Sequence, residues 1–292
     1  MRHSRVFVLT LLAMLAFAGN SLLCRAALAD AHIDPASFTA VRLVSGAVLL
    51  WVFVTVGGGE RNSAGNWVSA IALFAYAAGF SFSYVHLTAS AGALILFGAV
   101  QTTMIGYGLW RGERMRVLQV VGLFLALGGL IGLLLPGLSA PPLLGALLML
   151  GAGIAWGIYS LRGKAAGNPL QVTAGNFLRA APMAVLLSIA MAGSISMDSK
   201  GIVYALVSGA LASGVGYVIW YSALPYLKAA TAATVQLSVP VIAALGGVLF
   251  LGEQLTMRLV LCAIAILGGI ALVVLVGKRV QTPNTSPQRT KF

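Results

Sequence analysis

The chain has 292 residues, of which 60% are hydrophobic and 8% are charged, and its formal net charge at pH 7 is +12. Soluble domains carry about 25% charged residues, so this chain cannot build a water-facing surface, and lipid must surround most of it. The excess of Lys and Arg does not indicate nucleic-acid binding, because these residues lie in short segments between apolar stretches and not along one face.

Ten apolar segments are long enough to cross a bilayer as helices, which takes about 20 residues each. Spans 3 and 4 are joined by a very short connection at His86–Thr88, which predicts a hairpin. The polar residues 281–292 predict a disordered cytoplasmic tail. In chain order, the predicted spans 1 to 10 occupy residues 6–28, 36–56, 67–85, 89–110, 116–136, 143–161, 171–193, 201–222, 229–250 and 257–277.

The basic residues between the spans predict the orientation of the chain. With a cytoplasmic N-terminus, thirteen Lys and Arg residues fall on the cytoplasmic side, whereas Arg25, Lys200 and Arg258 fall on the other side. Cytoplasmic loops of membrane proteins are enriched in Lys and Arg. We therefore expect a multi-pass protein of a bacterial-type inner membrane, with ten spans and both termini in the cytoplasm.

Arginines recur at equivalent places in the two halves of the chain. Arg25 at the end of span 1 and Arg162 at the end of span 6 are 137 positions apart. Arg42 in span 2 and Arg179 in span 7 have the same separation. A constant offset between landmarks that occur in the same order indicates an internal repeat.

Two further pairs of landmarks extend this repeat. Span 4 begins with ASAGA at 89–93 and span 9 with AATAA at 229–233, and both spans are followed by Gly-Glu, each pair being 140 positions apart. Because each half holds five spans, the second half must enter the membrane from the opposite side, as in many secondary transporters. The predicted fold is all-α, with ten transmembrane helices in two inverted repeats: a first five-helix repeat at 1–139 and a second at 140–280.

These landmarks resemble the EamA-type branch of the drug/metabolite transporter superfamily over residues 6–277. The resemblance rests on the Asn-containing end of span 1, the Pro35…Arg42 opening of span 2, the small-residue start of span 4 and the two Gly-Glu pairs. It implies ten helices, two repeats and export of metabolites. The sequence as a whole is most similar to those of bacterial aromatic-amino-acid exporters. The segment from Pro169 to Arg179 is three residues longer than the segment from Pro35 to Arg42, so Arg179 need not face the same way as Arg42.

All six carboxylates of the chain fall in loops or at the ends of predicted spans. Intramembrane acids are the usual proton relays and cation sites of transporters. Their absence from the spans argues against a buried Glu that grips cations and against proton coupling through a midplane acid. We expect transport that is uncoupled, or coupled weakly through a peripheral group. The six residues are Asp30, Asp34, Glu60, Glu113, Asp198 and Glu253.

Arg42 and Arg179 are the basic residues that lie clearly within spans. A buried Arg is energetically expensive and can bind a carboxylate through two hydrogen bonds. One hypothesis is a contact with the carboxylate of an amino acid. The alternative is a structural tether to helix-end carbonyls and to loop acids such as Asp30 or Asp34, and the sequence leaves both open.

Two amides and a proline form a further candidate site. Gln101 and Gln236 lie close to the middle of spans 4 and 9, where an amide needs a partner. Pro240 should free the carbonyl of Gln236 and kink span 9, and Pro182 should kink span 7 in the same way. Exposed backbone at membrane depth is tolerated where it lines a cavity. The alternative is plain helix packing.

Aromatic stripes and one amide complete the candidate substrate-binding residues. The stripes could line a cavity for apolar or aromatic side chains, or they could pack helices and form interfacial belts. The amide of span 1 could bind an ammonium group or join a neighbouring helix. These residues are Tyr76, Phe80 and Tyr84 in span 3, Trp156 and Tyr159 in span 6, Tyr217 and Tyr221 in span 8, and Asn20 in span 1.

The sequence offers little support for other functions. An enzyme needs a convergent acid, base or nucleophile set, and a channel usually shows polar rings along one path; neither pattern is present. We expect no cofactor and no metal, with Cys24 and Cys262 acting as small hydrophobic residues. The partners are then a small-molecule substrate and the lipid bilayer, with the protein a monomer or homodimer. Export of nucleotide sugars or lipophilic cations, or a scaffold role, remains as an alternative.

Overall fold

The computed structural model describes residues 2–30, 32–57, 64–112, 115–135, 140–163, 167–227 and 235–278. Within these ranges every regular element is helical, and the one β-type pairing is an isolated bridge between Ile33 and Met197. The predicted tail at 281–292, the first residues of predicted span 9 at 229–234, and Glu113 lie outside the described residues.

The helices follow the predicted spans closely along most of the chain. Two short α-helices, Ser199–Val207 and Gly216–Ala223, are joined by a π-helix at Ser208–Val215, and with the 3₁₀ turn Leu224–Tyr226 they make one helical segment, Ser199–Tyr226. The α-helices are α1 Arg2–Ala29, α2 Pro35–Val56, α3 Trp67–Tyr84, α4 Ala89–Trp110, α5 Val117–Leu134, α6 Leu143–Gly163, α7 Pro169–Ala190, α8 Ser199–Val207, α9 Gly216–Ala223, α10 Ser238–Leu251 and α11 Met257–Lys278.

Most of these helices have the length and the composition of membrane spans. Within the described ranges, seven helical segments are long and apolar enough to cross a bilayer: α1, α2, α3, α4, α6, α7 and Ser199–Tyr226. Three shorter apolar helices, α5, α10 and α11, coincide with predicted spans 5, 9 and 10. Large apolar side chains such as Phe124 and Phe250 face outward, as a surface in contact with lipid requires. The chain is therefore a multi-pass α-helical membrane protein.

Polar residues in the short connections set where the helices begin. Asp34 caps α2 by accepting hydrogen bonds from the N–H groups of Ala36 and Ser37, and Pro35 takes the first helical position. Asn66, Thr88, Asn168 and Asp198 cap α3, α4, α7 and α8 in the same way. The N–H of Gly201 and the ring of His32 hold the pKa of Asp198 below its ordinary value, so this cap stays ionised as the pH falls.

The two prolines within predicted spans behave differently from each other. Helix α7 continues through Pro182 to Ala190. In span 9, Leu237 forms a turn and α10 begins at Ser238, so Pro240 lies in the first turn of α10. A proline in the first turn sacrifices no helical hydrogen bond. This interruption follows Gln236 directly, and the carbonyl of Gln236 is the one that Pro240 deprives of its helical hydrogen bond, so the break in span 9 lies where the sequence predicted a kink.

The helices from the two halves of the chain are interleaved. Helix α2 packs against α7 and the π-helix, and α3 packs against α6 and α7. Helix α1 packs against α9 and α10, α4 against α6 and α10, and α5 against α11. The first and second halves therefore share one core and do not form separate bundles.

The π-helix approaches α2 so closely that only glycine fits at the contact. A Cβ atom at Gly209 would lie 2.0 Å from the carbonyl oxygen of Arg42 and 2.2 Å from Oγ of Ser45. On the α2 side, a Cβ atom at Gly46 would lie 2.9 Å from the carbonyl oxygen of Gly209 and closer still to the ring of Phe177. Small residues at such crossings let membrane helices pack backbone to backbone.

We expect Gly209→Ala to separate α2 from the π-helix and to lower stability by roughly 1–3 kcal/mol, the usual effect of overpacking. The measurement is thermal unfolding of the purified protein in detergent. Gly151→Ala is the matched control, because a Cβ atom at Gly151 meets nothing within 4 Å. Equal unfolding temperatures for the two variants would contradict the close packing.

Candidate binding site

Arg42 lies on α2 and is completely surrounded by protein, with 1% of its surface exposed. Its Nε donates to Oγ of Ser213 at 3.0 Å, and its Nη2 donates to the hydroxyl groups of Tyr76 at 3.0 Å and Tyr217 at 3.3 Å. Its Nη1 is buried and has no hydrogen-bond partner among the residues that the structure describes. One arm of the guanidinium is thus held in place while the other is left free.

The side chains that bond to the Arg42 guanidinium in the described part of the chain are all neutral. In the described part of the chain the ion pairs are Arg25 with Glu253 and His32 with Asp198, so none involves Arg42. The guanidinium carbon lies 5.1 Å from the ring centre of Tyr76 and 5.0 Å from that of Phe80, within the range of cation–π attraction. The loop acid Asp34 caps α2 and does not reach Arg42, so the tether to loop acids is not what the structure shows for Arg42.

Asn20 joins α1 to the same cluster. Its Nδ2 donates to the hydroxyl oxygen of Tyr76 at 3.2 Å, and its Oδ1 accepts from Oγ of Ser208 at 2.6 Å and of Ser213 at 3.5 Å. Both serines belong to the π-helix, whose wider turn brings residues five positions apart onto one side; such turns are frequent at functional sites. The cluster of Arg42, Asn20, Tyr76, Tyr217, Ser208 and Ser213 is called the Arg42 cluster below.

The predicted aromatic stripes from three spans meet in one continuous column. Ring centres are 4.7 Å apart for Phe80 and Tyr84, 5.3 Å for Tyr76 and Phe80, and 4.9 Å for Tyr76 and Trp156. The column continues from Trp156 to Tyr217 at 4.6 Å and to Tyr159 at 5.5 Å, and from Tyr159 to Tyr221 at 6.1 Å. The aromatic column therefore consists of Tyr84, Phe80, Tyr76, Trp156, Tyr217, Tyr159 and Tyr221, all buried.

A cavity of about 460 Å³ adjoins one end of the aromatic column, at the bundle end where α1 begins. It lies between the start of α1, the end of α6, the start of α7 and the end of Ser199–Tyr226. Asn176 donates from Nδ2 to the hydroxyl of Tyr159 at 3.5 Å and accepts from the N–H of Asn66 at 3.0 Å. The lining includes Arg5, Tyr159, Thr173, Asn176, Tyr221 and Tyr226.

The remaining predicted site residues lie outside this cavity. Arg179 donates from Nη1 to the carbonyl oxygen of Gly175 at 2.8 Å and lies 6.0 Å from the ring centre of Trp67. These contacts differ from those of Arg42, as the three extra residues before Arg179 allowed. Gln101 and Gln236 are buried on α4 and before α10, and Pro240 lines a separate apolar cavity between α4, α10 and α11.

Several contributors to this region were not predicted from the sequence, among them Thr173 and Asn176 of the cavity and Phe17, Ser208 and Ser213 near the Arg42 cluster. Phe17 on α1 places its ring 5.8 Å from Trp156 and 5.9 Å from Tyr217. Ser208 and Ser213 carry no functional signal in the sequence, because small hydroxyl residues are common packing residues in membrane helices. A single aromatic residue and two serines carry no periodic pattern, so nothing in the sequence distinguished them.

The opposite end of the bundle is held by a carboxylate. Glu253 follows α10, and its side chain is 7% exposed. Its carboxylate accepts the N–H of Ala89, the first residue of α4, at 2.7 Å, and its Oε1 lies 3.5 Å from Nε of Arg25. Arg25 also donates from Nη1 to the carbonyl oxygen of Tyr84 at 2.9 Å. A negative charge at a helix N-terminus is stabilising. We call Glu253, Arg25 and the first turn of α4 the distal latch.

The distal latch explains one of the repeat landmarks. Gly252 ends α10 in the left-handed region at a φ of 63°, a conformation that favours glycine at a helix C-terminus. This turn directs Glu253 back toward α4. The Gly-Glu pair found by sequence comparison of the two halves is thus, at 252–253, a helix stop followed by a cap for another helix.

Comparison with known proteins places the whole chain among transporters. It matches the EamA-like transporter family twice, over residues 4–135 and 143–275. It is 59% identical over 274 residues to the uncharacterized protein PA1977 of Pseudomonas aeruginosa, covering 94% of this chain and 96% of that protein. A solved crystal structure that is 18% identical covers 94% of this chain and 99% of its own, with a TM-score of 0.68, and shows that the fold is shared.

Two relatives with transporter names match shorter parts of the chain. The threonine/homoserine exporter RhtA of Salmonella typhimurium is 35% identical over 132 residues, which is 44% of this chain and 44% of RhtA. The uncharacterized transporter YoaV of Bacillus subtilis is 28% identical over 166 residues, 54% of this chain and 57% of YoaV. Both matches cover about half of each protein.

The distal latch predicts when Cys24 becomes reactive. Cys24 is fully buried beside Arg25, so a soluble maleimide can reach it only when this end of the bundle opens. In a Cys262→Ser background, we expect Glu253→Ala to speed the labelling of Cys24 several-fold in detergent, because both the ion pair and the cap of α4 are lost.

Asp198→Ala is the matched control for this experiment. It removes another carboxylate cap at the same end of the bundle, bonded to the N–H of Gly201 at 2.7 Å, but it leaves Arg25 and α4 untouched. We expect its labelling rate to equal that of the parent. Equal rates for all three proteins would show that the distal latch does not hold this end closed.

Proposed function

Because the chain belongs to the EamA-like transporter family, we propose that it exports small metabolites, chiefly neutral and aromatic amino acids, by alternating access. The superfamily expected from the sequence is thereby confirmed, and a transporter rather than an enzyme is what the family implies. The observation that carries the substrate proposal is the cavity of about 460 Å³ that ends on the aromatic column.

The cavity and the column have the character of a site for a small, partly apolar molecule. Binding pockets for small molecules commonly have volumes of about 300–1,000 Å³ and apolar walls with a few polar groups. Tyr159 and Tyr221 provide the aromatic boundary, and Thr173 and Asn176 provide polar groups. RhtA, which matches part of the chain, is named as an exporter of threonine and homoserine. These two points together favour amino acids.

We propose ten spans in two inverted repeats, with the first at 1–139 and the second at 140–280. The two family matches fall one in each half. The helix contacts support an exchange symmetry: α1 with α9 corresponds to α6 with α3, α1 with α10 to α6 with α4, and α2 with the π-helix to α7 with α3. In this scheme α5 and α11 are equivalent and pack against each other.

The proposed orientation makes the observed cavity face the cytoplasm. The excess of Lys and Arg on one side supports cytoplasmic termini in a bacterial inner membrane. The cavity adjoins the start of α1, and the distal latch then lies on the far side. An inward-facing cavity with a closed far side is the state that receives a molecule for export. We propose that the protein acts in the bilayer as a monomer or a homodimer, without a cofactor.

Transport in this scheme needs no acid inside a membrane span. Within the described ranges, Asp34 and Asp198 cap α2 and α8, and Glu253 caps α4, so these carboxylates lie at helix ends. Without a carboxylate inside a span to carry a proton across, we propose flux that is uncoupled, or coupled weakly through a group at the periphery.

The direct test is uptake of radiolabelled compounds into proteoliposomes that hold the purified protein. We expect saturable flux of phenylalanine or threonine, and no flux of a nucleotide sugar or a lipophilic cation. Trp156→Ala should reduce the amino-acid flux about tenfold, equivalent to roughly 1.4 kcal/mol, because Trp156 joins the stripes of α3 and α9. Trp110→Ala is the matched control, since Trp110 is 81% exposed.

The outcomes of this test are distinct. Flux of the nucleotide sugar or the cation alone would replace the proposed substrate and leave the transporter intact. Absence of flux for every compound would contradict export of amino acids.

A second test concerns the driving force. Because the carboxylates seen lie at helix ends, we expect the initial flux to change less than about twofold when a proton gradient of one pH unit is imposed, far below the tenfold that such a gradient can drive. The measurement is the initial rate of uptake of the radiolabelled amino acid into proteoliposomes, with and without the gradient. Strong uphill accumulation driven by the gradient would contradict the proposal.

A further inference from the structure

We propose that Arg42 is the anchor for a carboxylate of the transported molecule, so that recognition depends on the carboxylate and not on the amino group. This inference rests on the proposed transport function and names the chemistry that its site selects. It widens the substrate class from amino acids to small monocarboxylates with an apolar body, and it excludes amines.

The first argument is the number of hydrogen-bond donors that Arg42 uses. A guanidinium has five N–H donors. Nε is used by Ser213, and Nη2 is used by Tyr76 and Tyr217. The two donors on Nη1 are buried and have no partner in the described part of the chain. An arginine that served only as a tether between helices would be expected to use both arms, because unmet buried donors are unfavourable.

The second argument is charge. A buried cation without a counter-ion is unfavourable, and the groups seen against Arg42 are hydroxyls and the rings of Tyr76 and Phe80. A carboxylate that enters would neutralise the charge and accept hydrogen bonds from Nη1, and such charge-assisted bonds are the strong ones. A protonated amine would instead meet a charge of its own sign in a site from which water is excluded.

The third argument concerns the amino group of an amino acid. The oxygen atoms near Arg42 are neutral, and Oδ1 of Asn20 already accepts from Ser208 and Ser213. In the described part of the chain the carboxylates in ion pairs are those of Glu253 and Asp198, and neither belongs to the Arg42 cluster, where it could bind an ammonium group. The site therefore has a strong attraction for the carboxylate of an amino acid and only weak acceptors for its ammonium.

The position of Arg42 explains how binding and movement are linked. The hydroxyl of Tyr217 bonds to Arg42 at 3.3 Å, and its ring centre is 6.4 Å from that of Tyr159, which lines the cavity. Arg42 thus lies one aromatic layer beyond the cavity. A molecule that reaches Nη1 must displace these rings, so its arrival loosens the packing between α6 and α9.

Matched series of ligands test this proposal. The first series is phenylalanine, 3-phenylpropionate, which lacks the amino group, and 2-phenylethylamine, which lacks the carboxylate. The second is threonine, 3-hydroxybutyrate and 1-amino-2-propanol. The measurement is the ligand-induced shift in thermal unfolding of the purified protein in detergent, followed by competition against amino-acid flux in proteoliposomes.

We expect each des-amino acid to bind within about tenfold of its amino acid, and each amine to bind at least about a hundredfold more weakly, a difference of roughly 2.7 kcal/mol. Amines that bind as well as the des-amino acids would overturn the proposal. So would the failure of every carboxylate in both series to stabilise the protein. If carboxylates stabilise the protein but no amino acid is transported, the role of Arg42 as an anchor stands and the transport function is rejected.

Variants at Arg42 separate an anchor from a tether. Arg42→Lys keeps the charge, so the preference for carboxylates over amines should persist with affinity reduced about tenfold. Arg42→Gln should abolish that preference. Arg258→Gln removes an arginine that bonds to the carbonyl oxygens of Gly132 and Leu135 at the opposite bundle end, and it should leave the preference unchanged. A carboxylate preference that survives in Arg42→Gln would overturn the proposal.

Discussion

A guanidinium that is buried without an acidic partner among the described residues is the constraint around which the centre of this protein is arranged. Arg42 is held by the hydroxyls of Ser213, Tyr76 and Tyr217, and each of these groups reaches it from a different part of the chain. Placing Ser213 there requires the π-helix, and the π-helix can come close enough only because Gly209 lacks a side chain. A buried charge of this kind is energetically costly, and membrane proteins retain one chiefly where it serves function.

The two ends of the bundle differ in a way that defines one conformational state. At one end the cavity leads to Tyr159 and Tyr221, the last rings of the aromatic column. At the other end Glu253 and Arg25 connect α10, α1 and the start of α4. A transporter that alternates must break contacts of the second kind to release what it has bound. A carboxylate that caps a helix suits this purpose, because it can be exchanged for water at a helix end without exposing apolar surface.

The sequence predicted the helices well because lipid leaves the backbone few alternatives. The bounds of α3 and α4 agree with the predicted spans to within a residue, and the stripe of Tyr76, Phe80 and Tyr84 follows directly from helical spacing. The part that could not be predicted is the meeting of distant segments. Ser208 and Ser213 belong to the site because a π-helix turns both toward Asn20, and amino-acid composition does not predict a π-helix.

A structure of the protein with a bound monocarboxylate tests the central claim most directly. With phenylalanine or 3-phenylpropionate present at saturation, a carboxylate oxygen should lie about 2.8 Å from Nη1 of Arg42, the usual length of a charge-assisted hydrogen bond. The rings of Tyr159 and Tyr217 should have moved apart to admit it. A ligand bound in the cavity with Nη1 still unpaired, or with Nη1 bonded to a protein group, would contradict the account.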